Sequence, residues 1–218
     1  HALSLDLSDL LSASGSATLA LPPAAADTPV QRAQLRLQPV RLAALQAAML
    51  TPVWLGTPHE RLQLSGRVAA EWERRAAGDD VLRLDLQQVG LDDRARTGQP
   101  RRLGLQGVSG TLHWGTQGPV PDSRLRIAGG HLLDHVPLGA TTLVLGLQGD
   151  SVALRQPTRI PVFDGALEID ALSWQRESAG PALRFSGRLQ PIPLAELTRA
   201  LGWPALSGSL SGEIPALH

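Results

Sequence analysis

Leu62-Gln63-Leu64-Ser65-Gly66-Arg67-Val68, followed by Leu82-Arg83-Leu84-Asp85-Leu86, alternates apolar and polar side chains residue by residue. A period of two gives a β-strand one oily face and one polar face, whereas a helix needs apolar residues three and four apart. The same alternation recurs in Leu3/Leu5/Leu7, Leu103/Leu105, Leu112/Trp114, Leu125/Ile127, Leu143/Leu145/Leu147, Val152/Leu154, Leu167/Ile169 and Leu183/Phe185. Turn chemistry separates the runs as Gly78-Asp79-Asp80, Gly98-Gln99-Pro100, Gly118-Pro119, Gly129-Gly130, Gly149-Asp150 and Gly180-Pro181. This spacing predicts a mainly β fold: a long, curled, antiparallel meander of about twelve strands, with no room for the crossover helices of a parallel sheet.

Two stretches break the alternation, and they match each other. Arg36-Leu37-Gln38-Pro39-Val40-Arg41-Leu42-Ala43-Ala44-Leu45 and Arg188-Leu189-Gln190-Pro191-Ile192-Pro193-Leu194-Ala195-Glu196-Leu197 are identical at seven of ten positions at an offset of 152. In each, a strand ends near a proline and a helical period begins. Leu42, Leu45 and Met49 form one stripe, and Leu194, Leu197 and Leu201 the other. Gly56 and Gly202 are the expected stops. Each helix leads to a strand with a Ser-Gly pair, a dipeptide that recurs at 65–66, 109–110, 186–187, 207–208 and 211–212. The repeat units therefore lie around residues 36–72 and 188–215 of a single β-rich domain spanning 1–218.

Composition removes several function classes. The 218 residues include no Cys, which excludes thiolate catalysis, iron–sulfur clusters and cysteine-type zinc sites. Basic and acidic residues balance at 20 each, leaving no long-range field for nucleic acid. All the basic residues are Arg, with no Lys and no Asn, a bias that fits a GC-rich coding sequence. No apolar run reaches the roughly 20 residues of a membrane-spanning helix, and the chain opens on His1 instead of Met. It therefore reads as a mature or excised soluble segment, such as one cut from a longer, otherwise anchored protein.

No catalytic motif stands out. His131-Leu132-Leu133-Asp134-His135 is the only cluster of ligand type, and flanking glycines and Pro137 place it in a strand or turn instead of on the helix whose single turn would bring positions 131 and 135 together. No metal or cofactor is expected. Asp79/Asp80 and Asp92/Asp93 fall in polar turns as solvated carboxylates. The five Trp residues fit sheet ends and edges, and Trp54 and Trp203, which follow the two helices, are expected to cap the ends of the apolar face.

Over roughly residues 123–215 the chain resembles the AsmA-like superfamily of bacterial envelope proteins, within it the YdbH and TamB type, in Pro161-Val162-Phe163-Asp164-Gly165-Ala166-Leu167-Glu168-Ile169, Leu189-Gln190-Pro191-Ile192-Pro193-Leu194-Ala195-Glu196-Leu197, Leu201-Gly202-Trp203-Pro204 and Leu206-Ser207-Gly208-Ser209-Leu210-Ser211-Gly212-Glu213-Ile214-Pro215. The resemblance implies a periplasmic protein anchored in the inner membrane. Its curled sheet would conduct phospholipid through an apolar groove toward the outer membrane. This chain has no anchor and is far shorter than such a protein, so it could not bridge two membranes alone.

Physical reasoning leads to a similar expectation. Two short helices cannot cover twelve strands spaced roughly 4.8 Å apart, so the apolar face either closes on itself as a sandwich or barrel, or lies open as a trough. In the open form the expected lining is Leu103, Leu105, Leu125, Ile127, Leu143, Leu145 and Leu147, with Leu42, Leu45, Met49, Leu194, Leu197 and Leu201 plugging its ends. The ligand would be a phospholipid or fatty-acyl chain. The other function class compatible with the sequence is a protein-interaction module of an envelope secretion or assembly machine, pairing through open sheet edges.

Overall fold

The computed structural model describes residues 2–7, 13–20, 32–55, 57, 60–75, 79–93, 102–177 and 180–217. Its strands are β1 (Ala2–Leu7), β2 (Ala13–Ala20), β3 (Arg32–Arg41), β4 (Leu62–Arg74), β5 (Asp80–Asp93), β6 (Leu103–Gly115), β7 (Ser123–Ile127), β8 (Gly129–Leu132), β9 (Val136–Leu138), β10 (Thr141–Gln148), β11 (Ser151–Leu154), β12 (Thr158–Val162), β13 (Gly165–Glu177), β14 (Gly180–Pro193) and β15 (Ser209–Leu217). All belong to one sheet.

The fifteen segments make twelve consecutive runs. β7 and β8 both pair with β6, at Leu125/Gly110 and Gly130/Leu105, and are one strand interrupted at Ala128. Likewise β9 and β10 pair with the β7–β8 run, and β11 and β12 both pair with β13. Gly129-Gly130 is therefore a strand continuation and not the turn its composition suggested. Neighbouring runs are antiparallel; the one parallel contact, Trp114/Leu147 and Gly115/Gln148, arises where β10 extends past the start of β7 and meets β6 directly. The described strands do not close into a barrel. Among the described residues β1 pairs with β2 alone and β15 with β14 alone, so the barrel alternative is not the one adopted.

A line of irregularities crosses the strands at one level. Register shifts fall between Leu37 and Val40, Ser65 and Arg67, Leu86 and Val89, and Ile169 and Ala171, and they continue through the breaks at Ala128, 139–140 and 155–157. A bulge bends its strand and moves the alternation by one residue. The apolar residues follow that slip: 82, 84 and 86 become 89 and 91 in β5, 103 and 105 become 108 and 112 in β6, and 136 and 138 become 143 and 145 across β9 and β10. Both halves of the sheet thus present their apolar residues on one side, and the aligned bulges curl the sheet across the strands. Of the six Ser-Gly pairs, those at 65–66, 109–110, 186–187 and 211–212 lie at register shifts. Gly66, with φ +89°, faces the Gln88 carbonyl so closely that a Cβ has no room. Ser14-Gly15 is the pair in regular register, Gly15 facing Leu5 and Leu37, and Ser207-Gly208 precedes β15.

Two helical segments leave the sheet. The first runs through α1 (Leu42–Leu45), a π-helical turn (Gln46–Leu50) and α2 (Thr51–Trp54). Pro52 has no N–H for the carbonyl four residues back, and the ladder slips here, Thr51 giving both its N–H and its Oγ1 to the Gln46 carbonyl. The second, α3 (Leu194–Leu201), ends on Gly202 in the left-handed conformation (φ +67°), as its sequence predicted. No described helix is long and apolar enough to cross a membrane.

Candidate functional site: an open apolar face

Cross-strand partners trace the face. One row runs Leu35, Trp72, Leu82, Trp114, Leu147, Val152, Trp174, Leu183 through β3, β4, β5, β6, β10, β11, β13 and β14. A second, nearer the bulges, runs Val40, Val68, Leu86, Gly110, Leu125, Leu143. Beyond the bulges a third runs Leu64, Leu91, Leu105, Gly130, Leu138, Val162. The opposite face is polar, with Arg36, Glu71, Arg83 and His113 in one row. Arg36 pairs with Glu71 at 2.6 Å, and Arg155 with Asp122 and Arg188 with Glu168 at 3.2 Å. The hydrogen bond from Arg36 holds the Glu71 carboxyl below its ordinary range, with Gln34 and Arg83 helping.

Clusters of buried residues cover the apolar face near both ends. Val40, Leu42 and Val68 pack with Leu37, Leu45, Leu64, Leu84, Leu86 and Val89, which come from both sides of the bulge line. Val136, Val162 and Ile192 pack with Leu138, Phe163, Leu189, Leu197 and Leu201. Between them the upper face stays open. Leu112, Leu125, Leu143, Leu145 and Leu147 are half-buried, and at the rim Leu35 (47% exposed), Trp174 (36%) and Leu183 (53%) are bare.

The expected lining residues divide between the halves. Leu125 and Leu143 are direct cross-strand partners and Leu145 and Leu147 follow them, while Leu103 and Leu105 lie on the same face beyond the bulges and Ile127 is buried at the break. Of these, Leu105 also borders a cavity of about 540 Å³ beside the π turn, with Gln46, Gln63 and Asp92. Leu42 and Leu45 pack in the first cluster and Leu197 and Leu201 in the second; Leu194 is half-buried and gives its N–H to the Gly208 carbonyl, and the Met49 side chain lies outside the described residues. Trp54 is half-buried. Trp203 is a correction: its N–H closes the α3 terminus on the Thr198 carbonyl, and past left-handed Gly202 its ring turns outward, 61% exposed, so it caps nothing in this chain.

Sequence reasoning missed the row that Trp72, Trp114 and Trp174 make together. Each sits near a strand end at an apolar position of its alternation, and only the register brings the three into line. Trp114 Nε1 donates to the Gly149 carbonyl at 2.9 Å, turning its polar edge toward the backbone.

The carboxylates have structural partners. Asp79 accepts from Thr116 Oγ1 and the Gln117 and Gly118 N–H groups, each at 3.1 Å, tying the β4–β5 turn to the loop after β6; those backbone bonds lower its pKa. Asp80 receives both a Nε and a Nη2 bond from Arg74 at 2.8 Å, which lowers its pKa likewise. Asp92 and Asp93 are not turn residues, as their composition suggested, but end β5, with Asp93 buried. His131 lies in β8 over Gly104, and His135 is exposed in the following turn. Among the described residues no three His, Asp or Glu side chains converge. No family model, curated protein or solved structure matches this chain.

Proposed function

We propose that this chain is a non-enzymatic trough that takes phospholipid acyl chains out of water and lets them pass along its apolar face, as part of a periplasmic protein of the AsmA-like type, anchored in the inner membrane. The observation that carries this reading is the apolar row from Leu35 through Trp72, Trp114 and Trp174 to Leu183, on a face left open between two clusters closed by helices. An exposed, contiguous apolar surface of this extent calls for an apolar occupant. An acyl chain gains about 0.8 kcal/mol per methylene removed from water, so a 16-carbon chain gains at most ~12 kcal/mol. Such a ligand needs no oriented polar contacts, and the middle of the face offers almost none. The resemblance of roughly residues 123–215 to YdbH and TamB segments supplies the lipid class and the compartment.

Extraction of the purified chain followed by lipid mass spectrometry tests the reading. Co-purified phospholipid in stoichiometric amount is the expected result; a lipid-free chain that also fails to take up a fluorescent fatty acid contradicts it.

A further inference from the structure

The side of the sheet away from the leucines carries a polar recess. Cross-strand register sets Gln63, Asp92, Gly104 and His131 in one row through β4, β5, β6 and β8, and Ser65 beside Gly90 in the next. These positions alternate with Leu64, Leu91 and Leu105, so they face the opposite side. All six border the cavity of about 540 Å³ beside the π turn.

Two glycines make room there. A Cβ at Gly104 would collide with His131 Cε1, and one at Gly90 with Ser65 Oγ. The imidazole of His131 therefore lies over Gly104, its leading edge turned along the row toward Asp92. Its Nε2 is buried with no hydrogen-bond partner among the described residues, an unmet bond at the cavity wall. On the helical side the Gln46 carboxamide is engaged by the Leu62 carbonyl and the Leu64 N–H, and the small, exposed Ala43 and Ala47 form the rim. At the offset of 152 that relates the two repeat units, Ala47 corresponds to Arg199, so the second copy sets a long side chain where the first leaves an opening.

The lining selects the class of ligand. It contains no arginine, which disfavours an anion, and its one carboxylate, Asp92, stands among the Gln63 and Gln106 amides, the Ser65 hydroxyl and the His131 imidazole. Such a set both donates and accepts hydrogen bonds, as the neighbouring hydroxyl groups of a sugar ring do, whereas an acyl chain would leave these groups unpaired. The volume falls within the ~300–1,000 Å³ of small-molecule sites. We infer that this recess binds an uncharged saccharide of one or two rings, held by Gln63, Asp92, Gln106 and His131. Because the recess faces away from the trough, its occupancy does not depend on lipid passage.

The test titrates the 218-residue chain with maltose, cellobiose and N,N′-diacetylchitobiose, with ethanolamine as a cationic comparator, and reads binding by saturation-transfer NMR. Saturable binding of at least one disaccharide, and none of ethanolamine, is expected. Gln106→Ala and Ala47→Arg, both at exposed positions, keep the wild-type thermal midpoint. The first weakens binding of that disaccharide at least threefold, the loss of one hydrogen bond, and the second at least tenfold by filling the mouth of the recess. Absence of binding by all three disaccharides, binding of ethanolamine in their place, or undiminished binding in either variant overturns the proposal.

Discussion

Val40 and Ile192, 152 residues apart, occupy the same place in two copies of one unit: each lies just past a bulge, two residues before a helix, and is the least exposed member of its cluster, at 1% and 4%. The clusters share no residue. Ile192→Ala is therefore expected to cost about 2–4 kcal/mol and Val40→Ala somewhat less, and the double variant to lose their sum within about 0.5 kcal/mol. Urea unfolding checks this. A coupling above 1 kcal/mol would mean the two ends act as one core.

The helix on the second cluster gives a sharper contrast. Leu197 packs on that cluster, so Leu197→Asp buries an unpaired charge and is expected to cost several kcal/mol and to alter uptake of a fluorescent fatty acid. Glu196, off the leucine stripe in the first turn, tolerates Ala at about 0.5 kcal/mol, the size of the lost helix-dipole contact. If Leu197→Asp melts with the wild type and binds the probe equally, α3 is an appendage.

The bulge glycines separate strain from clash. Gly66→Ala meets both a left-handed φ and the Gln88 carbonyl, whereas the Cβ of Gly208→Ala meets only Leu194 at 3.9 Å. The second is expected to cost about 1–2 kcal/mol, the first clearly more. Equal losses in thermal unfolding would show that the bulge at Gly66 is not tightly packed.

Asp79 and Asp80 give the fold an acid-sensitive contribution. Their folded pKa values lie below the unfolded value of 3.8, so the stability they add is present above that pH and is lost as pH falls through the folded values. Asp79→Asn is expected to lower the thermal midpoint at pH 7 and to flatten its fall below about pH 4. An unchanged acid profile in the variant would show that the Asp79 bonds to the loop after β6 contribute nothing.

Alternation on single strands made the β class, the twelve runs, the two helices and the repeat legible, because each is a local property of spacing. Curvature and face were harder. The slip from Leu86 to Val89, and from Leu105 to Val108, is visible in the sequence, but a one-residue slip acquires meaning only when neighbouring strands slip at the same level. The Trp72, Trp114 and Trp174 row is likewise a product of register, which alternation leaves undetermined. Trp203 was misplaced because its distance from the helix says nothing about the direction the chain takes after a left-handed glycine. Asp92 and Asp93 were misplaced because their polar character matched a turn while the ladder of β5 continued through them.

Lipid passage requires an apolar face open to lipid, and side-specific photo-crosslinking in cells measures that most directly. A photoreactive residue at Leu125 or Leu145 is expected to capture phospholipid, and one at Arg124 or Arg126, exposed on the opposite face, is expected to capture none. Equal labelling of the two faces, or none at Leu125 and Leu145, would contradict it.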